Sequence, residues 1–286
     1  MNSLINNTLS ILTPLLLIST GALVTDLAGS LNIALEGLVT ISALFSIIGV
    51  SITHSIVLGT LIGISSSMIL AYILSTITSK LKANIFITGL ATNLLATGIC
   101  SVTTFSIYNT RGNVKFENLK AISKFSIGGI EITLFLIVSL ILLALTYVFL
   151  NMSSTGLRIR ACGMDPHSLK SYGISRSRTK LIAFLISGFF CGMAGSYLSL
   201  NLGSYVAGIS SGKGWIGLVI IYLAGSNIKY LLPAALTFAV AEALSIYYQG
   251  ITNLPPDIVL ALPSVFTLLV MVIVSIIVYK KNLVQR

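Results

Sequence analysis

The sequence predicts an all-α, polytopic transmembrane helical bundle, one domain over residues 1–286 with about eight or nine membrane segments, some of them broken or re-entrant. Three observations carry this. Hydrophobic residues make up 55% of the chain and charged residues 8%, with a mean hydropathy of +1.00. A soluble domain carries about 25% charged residues, so this chain cannot cover a water-facing surface. Apolar runs long enough to cross a bilayer recur along it, and its basic residues gather in the short polar stretches between them.

The segments follow in order. Leu9–Leu27 is the first, with Pro14 inside and Asp26 near its end. Nothing before it resembles a basic, cleavable leader, so it is expected to be retained. Gly29-Ser30 breaks the run, and Leu31–Ile52 continues with Asn32 and Glu36. His54–Thr78 and Ala83–Ser106 are the third and fourth. Residues 107–130 form a polar stretch, read as an extracytoplasmic loop. Glu131–Leu150 is the fifth segment, and residues 152–180 follow as a basic loop. Leu181–Leu202 is the sixth. A glycine- and serine-rich connection, 203–214, leads to Trp215–Gly225, which is too short to span alone, because a spanning helix takes about 20 residues. Tyr230–Gln249 is the eighth. The turn 250–257 carries Pro255-Pro256, and Ile258–Tyr279 is the ninth.

Charge sets the orientation. With 152–180 inside, twelve of the 17 basic residues fall inside: Lys80, Lys82, Arg158, Arg160, Lys170, Arg176, Arg178, Lys180, Lys229, Lys280, Lys281 and Arg286. Five fall outside: Arg111, Lys115, Lys120, Lys124 and Lys213. The excess agrees with the positive-inside rule, places the N-terminus outside, and accounts for the +10 net charge without nucleic acid.

Two stretches read as broken helices, Asp26–Glu36 and Ser211–Lys229. Unwound backbone at membrane depth survives only where protein or water satisfies it, and paired breaks in two halves point to a transport path and possible inverted repeats. The few polar groups inside apolar sequence are therefore informative. Glu36 lies four residues after Asn32, which puts both on one helix face. Asn93 aligns with Gly89 and Thr97, and Glu242 with Ser245 and Gln249. A carboxylate in hydrocarbon is costly, so Glu36 and Glu242 should face the bundle interior or a water-filled cavity. They either line a solute path or hydrogen-bond to the backbone of a break. For Glu36 the hydrogen-bonding role is favoured; for Asn93 and Glu242 both readings stand. Trp215 reads as a gate or, by preference, as an interfacial anchor. Gly188, Gly192, Gly195, Ser196 and Ser199 form a small-residue face for close helix packing.

Catalytic signatures are lacking. Gly208–Gly214 has neither the spacing nor the final hydroxyl of a phosphate loop. His54 and His167 pair with no acids in a metal or triad pattern, and Cys100, Cys162 and Cys191 show no metal or disulfide spacing. An enzyme is excluded on this reading, no cofactor is expected on this chain, and any ATP must act through a partner.

Residues 29–37, GSLNIALEG, resemble the G-x-x-N-I-x-x-E-G signature of permease subunits of ABC importers, the branched-chain amino acid and simple-sugar permease superfamily. Gly156, Leu157, Arg158, Arg160, Ala161, Gly163, Asp165 and Pro166 resemble its G-L-R-x-R-A-x-G-x-(N/D)-P coupling segment, which Gly173-Ile174 and Thr179-Lys180 continue. Gly212–Leu218 resembles its G-x-G-(F/W)-I-x-L element. Asp165 stands for the commoner Asn, and Ser171-Tyr172 for smaller residues. The resemblance is strongest to the shorter permease of nucleoside importers that use a basic membrane lipoprotein as receptor.

The resemblance implies that 152–180 is a cytoplasmic coupling segment docking on an ABC ATPase subunit, which binds the ATP and Mg. Asp165 suits the N-cap and Pro166 the first turn of a docking helix, with Leu169 and Tyr172 as its apolar side. The basic residues can pair with ATPase acids or with membrane lipid headgroups. It also implies a second permease subunit in a heterodimer, an extracytoplasmic lipoprotein that binds substrate, and a multi-pass place in the bacterial inner membrane. Residues Arg111, Lys115, Lys120 and Lys124 would meet that lipoprotein or simply be solvated. Two alternatives stand beside the nucleoside permease: a simple-sugar permease of the same class, and a stand-alone secondary transporter with Glu36 or Glu242 as its proton site.

Overall fold

The structure is a computed structural model that describes residues 2–110, 113–115, 124–165, 169, 171–249, 265 and 272. The expectations for Arg111, Lys120, Pro166, His167, Lys170, the 250–257 turn and all of the ninth segment but Val265 and Val272 lie outside these residues. Nine helices are described: α1 (Asn2–Leu27), α2 (Leu35–Thr53), α3 (Ile56–Lys80), α4 (Ile85–Tyr108), α5 (Leu134–Met152), α6 (Ser154–Met164), α7 (Arg176–Leu202), α8 (Lys213–Leu223) and α9 (Ile228–Gln249). Seven of them, all but α6 and α8, are long and apolar enough to cross a membrane.

Helix α1 is the central post. Leu15, Leu16, Leu17 and Ile18 are consecutive and all buried, so no face of this stretch meets lipid. Helices α7, α8 and α9 surround it. By contrast α3, α4 and α5 expose apolar side chains such as Ile69, Leu94 and Leu145, as lipid-facing helices do.

Glycines let the inner helices touch. A methyl group on Gly195 of α7 would lie 2.2 Å from the Val39 carbonyl oxygen of α2, and one on Gly192 2.7 Å from Ile64 Cα of α3. The same face carries hydroxyl bridges: Ser46 to Ser199 at 2.9 Å and Ser42 to the Gly192 carbonyl. Close backbone approach with interhelical hydroxyl bonding is how helices associate where lipid is as apolar as leucine. Gly195→Val is therefore expected to lower stability by about 3 kcal/mol, since backbone cannot move aside. Gly98→Val, which meets nothing within 4 Å, should leave the melting temperature in detergent unchanged.

The polar stretch 107–130 is not featureless. Strands β2 (Lys124–Ile127) and β3 (Ile130–Thr133) form a hairpin over Gly128-Gly129, and β1 (Val114–Lys115) pairs antiparallel with β4 (Ser204–Tyr205). Asn6 near the start of α1 accepts from Glu131 N at 2.9 Å. The start of α1, the 107–130 region and the exit of α7 thus share one end of the bundle. The other end holds the end of α1, α6 and the start of α7.

Most segment boundaries fall within five residues of the predicted ones, four starts moving inward, while the start of α1 moves out from Leu9 to Asn2. The larger difference is in 152–180, read as a loop. Ser153 caps α6 by accepting from Gly156 N at 2.9 Å, and Ser175 caps α7 five residues earlier than the predicted span. Leu169 is buried whereas Tyr172 is 82% exposed, so these two do not form one packed apolar side.

Candidate functional site

The first break follows α1. Gly29 takes a left-handed φ of 65°, Ser30 N donates to the Thr25 carbonyl at 3.0 Å, and α2 restarts at Leu35. Asn32 therefore lies in unwound chain, not on a helix face with Glu36 as its spacing predicts. It is buried; its Oδ1 accepts from Ala34 N and its Nδ2 donates to Ser187 Oγ, both at 3.0 Å. The helix-start residue Ala34 offers no side-chain cap. Asn93 of α4 serves instead: its Oδ1 accepts from Gly37 N at 2.7 Å and its Nδ2 donates to the Ile33 carbonyl at 3.0 Å. Gly89, one turn earlier, packs on Ile33. The first N–H groups of a helix lack intrahelical partners, and Asn93 satisfies one of them from a neighbouring helix.

The second break follows α7. Gly203 ends that helix in a left-handed conformation, and turns through 206–212 lead to α8, whose cap residue Gly212 has no side chain. Glu36 caps α8 from across the bundle. Its Oε1 accepts from Ser210 Oγ and from Gly212 N at 2.9 Å; its Oε2 accepts from Gly214 N at 2.8 Å. Thr40 Oγ1 joins at 3.2 Å from Ser210 Oγ. A methyl group on Gly214 would lie 2.5 Å from Glu36 N, so this position has room only for hydrogen. A carboxylate on a helix N-terminus gains both the free N–H groups and the positive end of the helix dipole. The sequence reading favoured hydrogen bonding for Glu36, but to the break beside it; the donors come from the other break.

This clamp lies deep in the bundle. The 27 residues of α7 span about 40 Å at 1.5 Å each, and Ser187, at the level of Asn32, sits near its middle. Helix α8 starts beside Glu36, passes Ile18 of α1 at Gly217, and ends near the α1 terminus, where Ser226 Oγ donates to Asp26 at 2.6 Å. Residues 203–223 thus run between the two ends of the bundle as one half of turns and one helical half. Lys213, counted with the outer loops, instead opens α8 inside the bundle and pairs with Glu242 of α9 at 3.0 Å. Among the described residues the buried Glu242 Oε2 has no hydrogen-bond partner. Trp215 is 43% exposed.

At the end of the bundle where α1 terminates, the basic segment touches the first break directly. A methyl group on Gly163 would lie 2.3 Å from the Leu27 carbonyl oxygen and 2.9 Å from Gly29 N. Lys180 Nζ donates to the Gly29 carbonyl at 3.3 Å. Gly156 lets α6 close on α5, 2.1 Å from the Phe149 carbonyl for an added methyl, and Arg160 donates to Asn151 Oδ1 at 2.8 Å. Arg158 is exposed, Asp165 ends α6 with an extended backbone, and Gly173 sits in open space with φ 70°. The contacts form one line: α6, the end of α1, the first break, Glu36, the second break, and Glu242. Among the described residues no three His, Cys, Asp or Glu side chains are placed to hold a metal ion.

Paired helix breaks clamped at mid-bundle, with a basic helix seated on one of them, define a polytopic membrane protein of the transport-subunit kind. The family described as branched-chain amino acid transport system / permease component matches residues 4–275, and the chain belongs to that family. It is similar to TsgC13 of Haloferax volcanii, an ABC transporter permease provisionally named for glucose, at 30% identity over 87% of this chain and 78% of that one. It is also similar to the nucleoside ABC transporter permease NupC of Lactococcus lactis, at 25% identity over 94% and 90%. The solved structure of PsaBC from Streptococcus pneumoniae in complex with Fab shares the fold, with a TM-score of 0.52 and 15% identity over 94% of this chain and 91% of that one. The chain is an ABC importer permease, a multi-pass and non-catalytic transmembrane subunit; such permeases work with ATPase and binding-protein partners.

Proposed function

We propose that this chain forms half of the path through which an importer takes up nucleosides or related small polar solutes. The other half is a second permease subunit in a heterodimer, in a bacterial inner membrane. A lipoprotein outside delivers the solute, and an ATPase binding ATP and Mg on the cytoplasmic side drives the cycle. The observation that carries this reading is the seat of Gly163 on Leu27 and Gly29. Motion of α6 under an ATPase would be passed to the first break without an intervening flexible loop. Glu36 would then pass it to α8.

Asn32, Asn93 and Glu36 are engaged in internal hydrogen bonds, which makes them positioning residues in this scheme. Trp215 and the Lys213–Glu242 pair, at the start of the half-helix, are the groups we assign to the solute path. An indole and a charged hydrogen-bonding pair, both at the first turn of α8, are groups that suit a base and a sugar hydroxyl. Relatives named for guanosine and nucleosides cover most of this chain and support the nucleoside assignment. The relative named for glucose supports the simple-sugar reading as the alternative.

The test is competition in cells that carry the complete importer. Uptake of radiolabelled guanosine and uridine is expected, with excess glucose failing to compete. Glucose uptake without nucleoside uptake would replace the substrate assignment and leave the coupling scheme standing.

A further inference from the structure

A cavity of about 450 Å³ opens at the α6 end of the bundle, between the first break, the end of α3 and the first turns of α4 and α7. Its charged lining is Arg176 and Lys180, and no acidic side chain lines it. The only hydrogen-bond partner of Lys180 among the described residues is the neutral Gly29 carbonyl. Hydroxyls of Ser79 and Ser177 add donors at the wall, while that of Thr78 donates to the Leu74 carbonyl of its own helix. The N-terminal turns of α4 and α7 both reach the cavity, and each brings roughly half a positive charge. Two side-chain cations in one open cavity, two helix ends and two hydroxyls all favour an anion.

The surroundings favour an anion carried on an apolar tail. Phe86 lines the cavity and is 56% exposed; Leu81 and Ile87 beside it are also exposed. They continue into the exposed apolar side of α4, which carries Leu90 and Leu94. Basic pockets between membrane helices at headgroup level hold anionic lipids.

We propose that this cavity binds the phosphate of an anionic phospholipid headgroup, with Arg176 and Lys180 as its cationic contacts and the acyl chains lying along α4. The site carries a consequence for the transporter. Lys180 holds the Gly29 carbonyl, and Gly29 bears on Gly163, so a headgroup on Lys180 meets the coupling contact itself.

The experiment uses the full importer complex in detergent and measures thermal protection. The probes are dihexanoyl-phosphatidylglycerol, dihexanoyl-phosphatidylcholine and inorganic phosphate. Phosphatidylglycerol is expected to protect the wild type and phosphatidylcholine is not. Arg176→Gln should weaken the phosphatidylglycerol midpoint about tenfold, the scale of one charged hydrogen bond. Arg178→Gln makes the same charge change on an exposed residue that does not line the cavity, and should leave the midpoint unchanged. If Arg176→Gln does not assemble, Ser177→Val keeps the charge, removes one donor, and should weaken the midpoint severalfold. Protection by phosphate alone with the same dependence on Arg176 would overturn the lipid assignment in favour of a soluble phosphate ligand. Equal loss in Arg176→Gln and Arg178→Gln, or no preference for phosphatidylglycerol, would overturn the site.

Discussion

Glu36→Ala is expected to abolish solute uptake and to lower the melting temperature of the complex by about 10 °C, from a loss of a few kcal/mol. The carboxylate accepts from Ser210 Oγ, Gly212 N and Gly214 N, and alanine leaves those donors without it deep in the bundle. Glu36→Gln separates two roles. An amide keeps one acceptor oxygen but turns an N–H toward a backbone N–H. If Glu36 is a clamp, Gln should lower both melting temperature and uptake to intermediate values. If it were a proton carrier, Gln would stop uptake and leave the melting temperature alone. Melting curves in detergent and uptake by whole cells check both variants. Wild-type values for Glu36→Ala in both measurements would remove the clamp from the mechanism.

The clamp also marks where sequence reasoning stops. Seven long helices were legible because each is a run of apolar residues of spanning length, and that signal is local. Helix α6 was not, because STGLRIRACGM mixes cations and glycines and has no apolar run; only Ser153 as a cap marked its start. The β2–β3 hairpin was hidden in a polar stretch that reads as loop, although Gly128-Gly129 is a turn signal. Both breaks were legible as glycine-rich interruptions. Their pairing was not, since Glu36 and Gly212 are 176 residues apart and nothing local links them. The argument that a buried carboxylate must find donors was sound; the nearest donors in sequence were the wrong ones. The Asn32–Glu36 face failed for a related reason. A four-residue spacing implies a shared face only if the backbone is helical, and here α2 starts at Leu35. Lys213 shows the same limit from the other side, since a lysine in a glycine-rich connection looks solvent-facing until Glu242 arrives from another helix.

Gly163→Ala is expected to separate ATP hydrolysis from transport, because alanine already adds the clashing atom. Its Cβ would lie 2.3 Å from the Leu27 carbonyl oxygen and 2.9 Å from Gly29 N. Both neighbours are backbone, so α6 must lift away from the end of α1. Helix α6 is short and polar and is not among the membrane-spanning helices, so insertion and assembly should be unaffected. In proteoliposomes holding the complete importer, ATPase activity should persist while uptake falls at least about tenfold, the cost of a displaced contact worth roughly 1.4 kcal/mol or more. Gly163→Leu should deepen the loss. Two neighbours give the comparison. Met164→Leu changes a side chain that is 83% exposed and should transport normally. Gly173→Ala meets open space, and only its left-handed backbone resists, so a modest loss is expected there. Asp165→Leu tests the outward side of the same segment. It should weaken docking of the ATPase itself, seen as lower recovery of ATPase with the purified permease, whereas Gly163→Ala should co-purify with a full complement. Coupled uptake at wild-type rates in Gly163→Ala would show that force does not pass through the α6–α1 contact, and would move the coupling route to another part of 152–180.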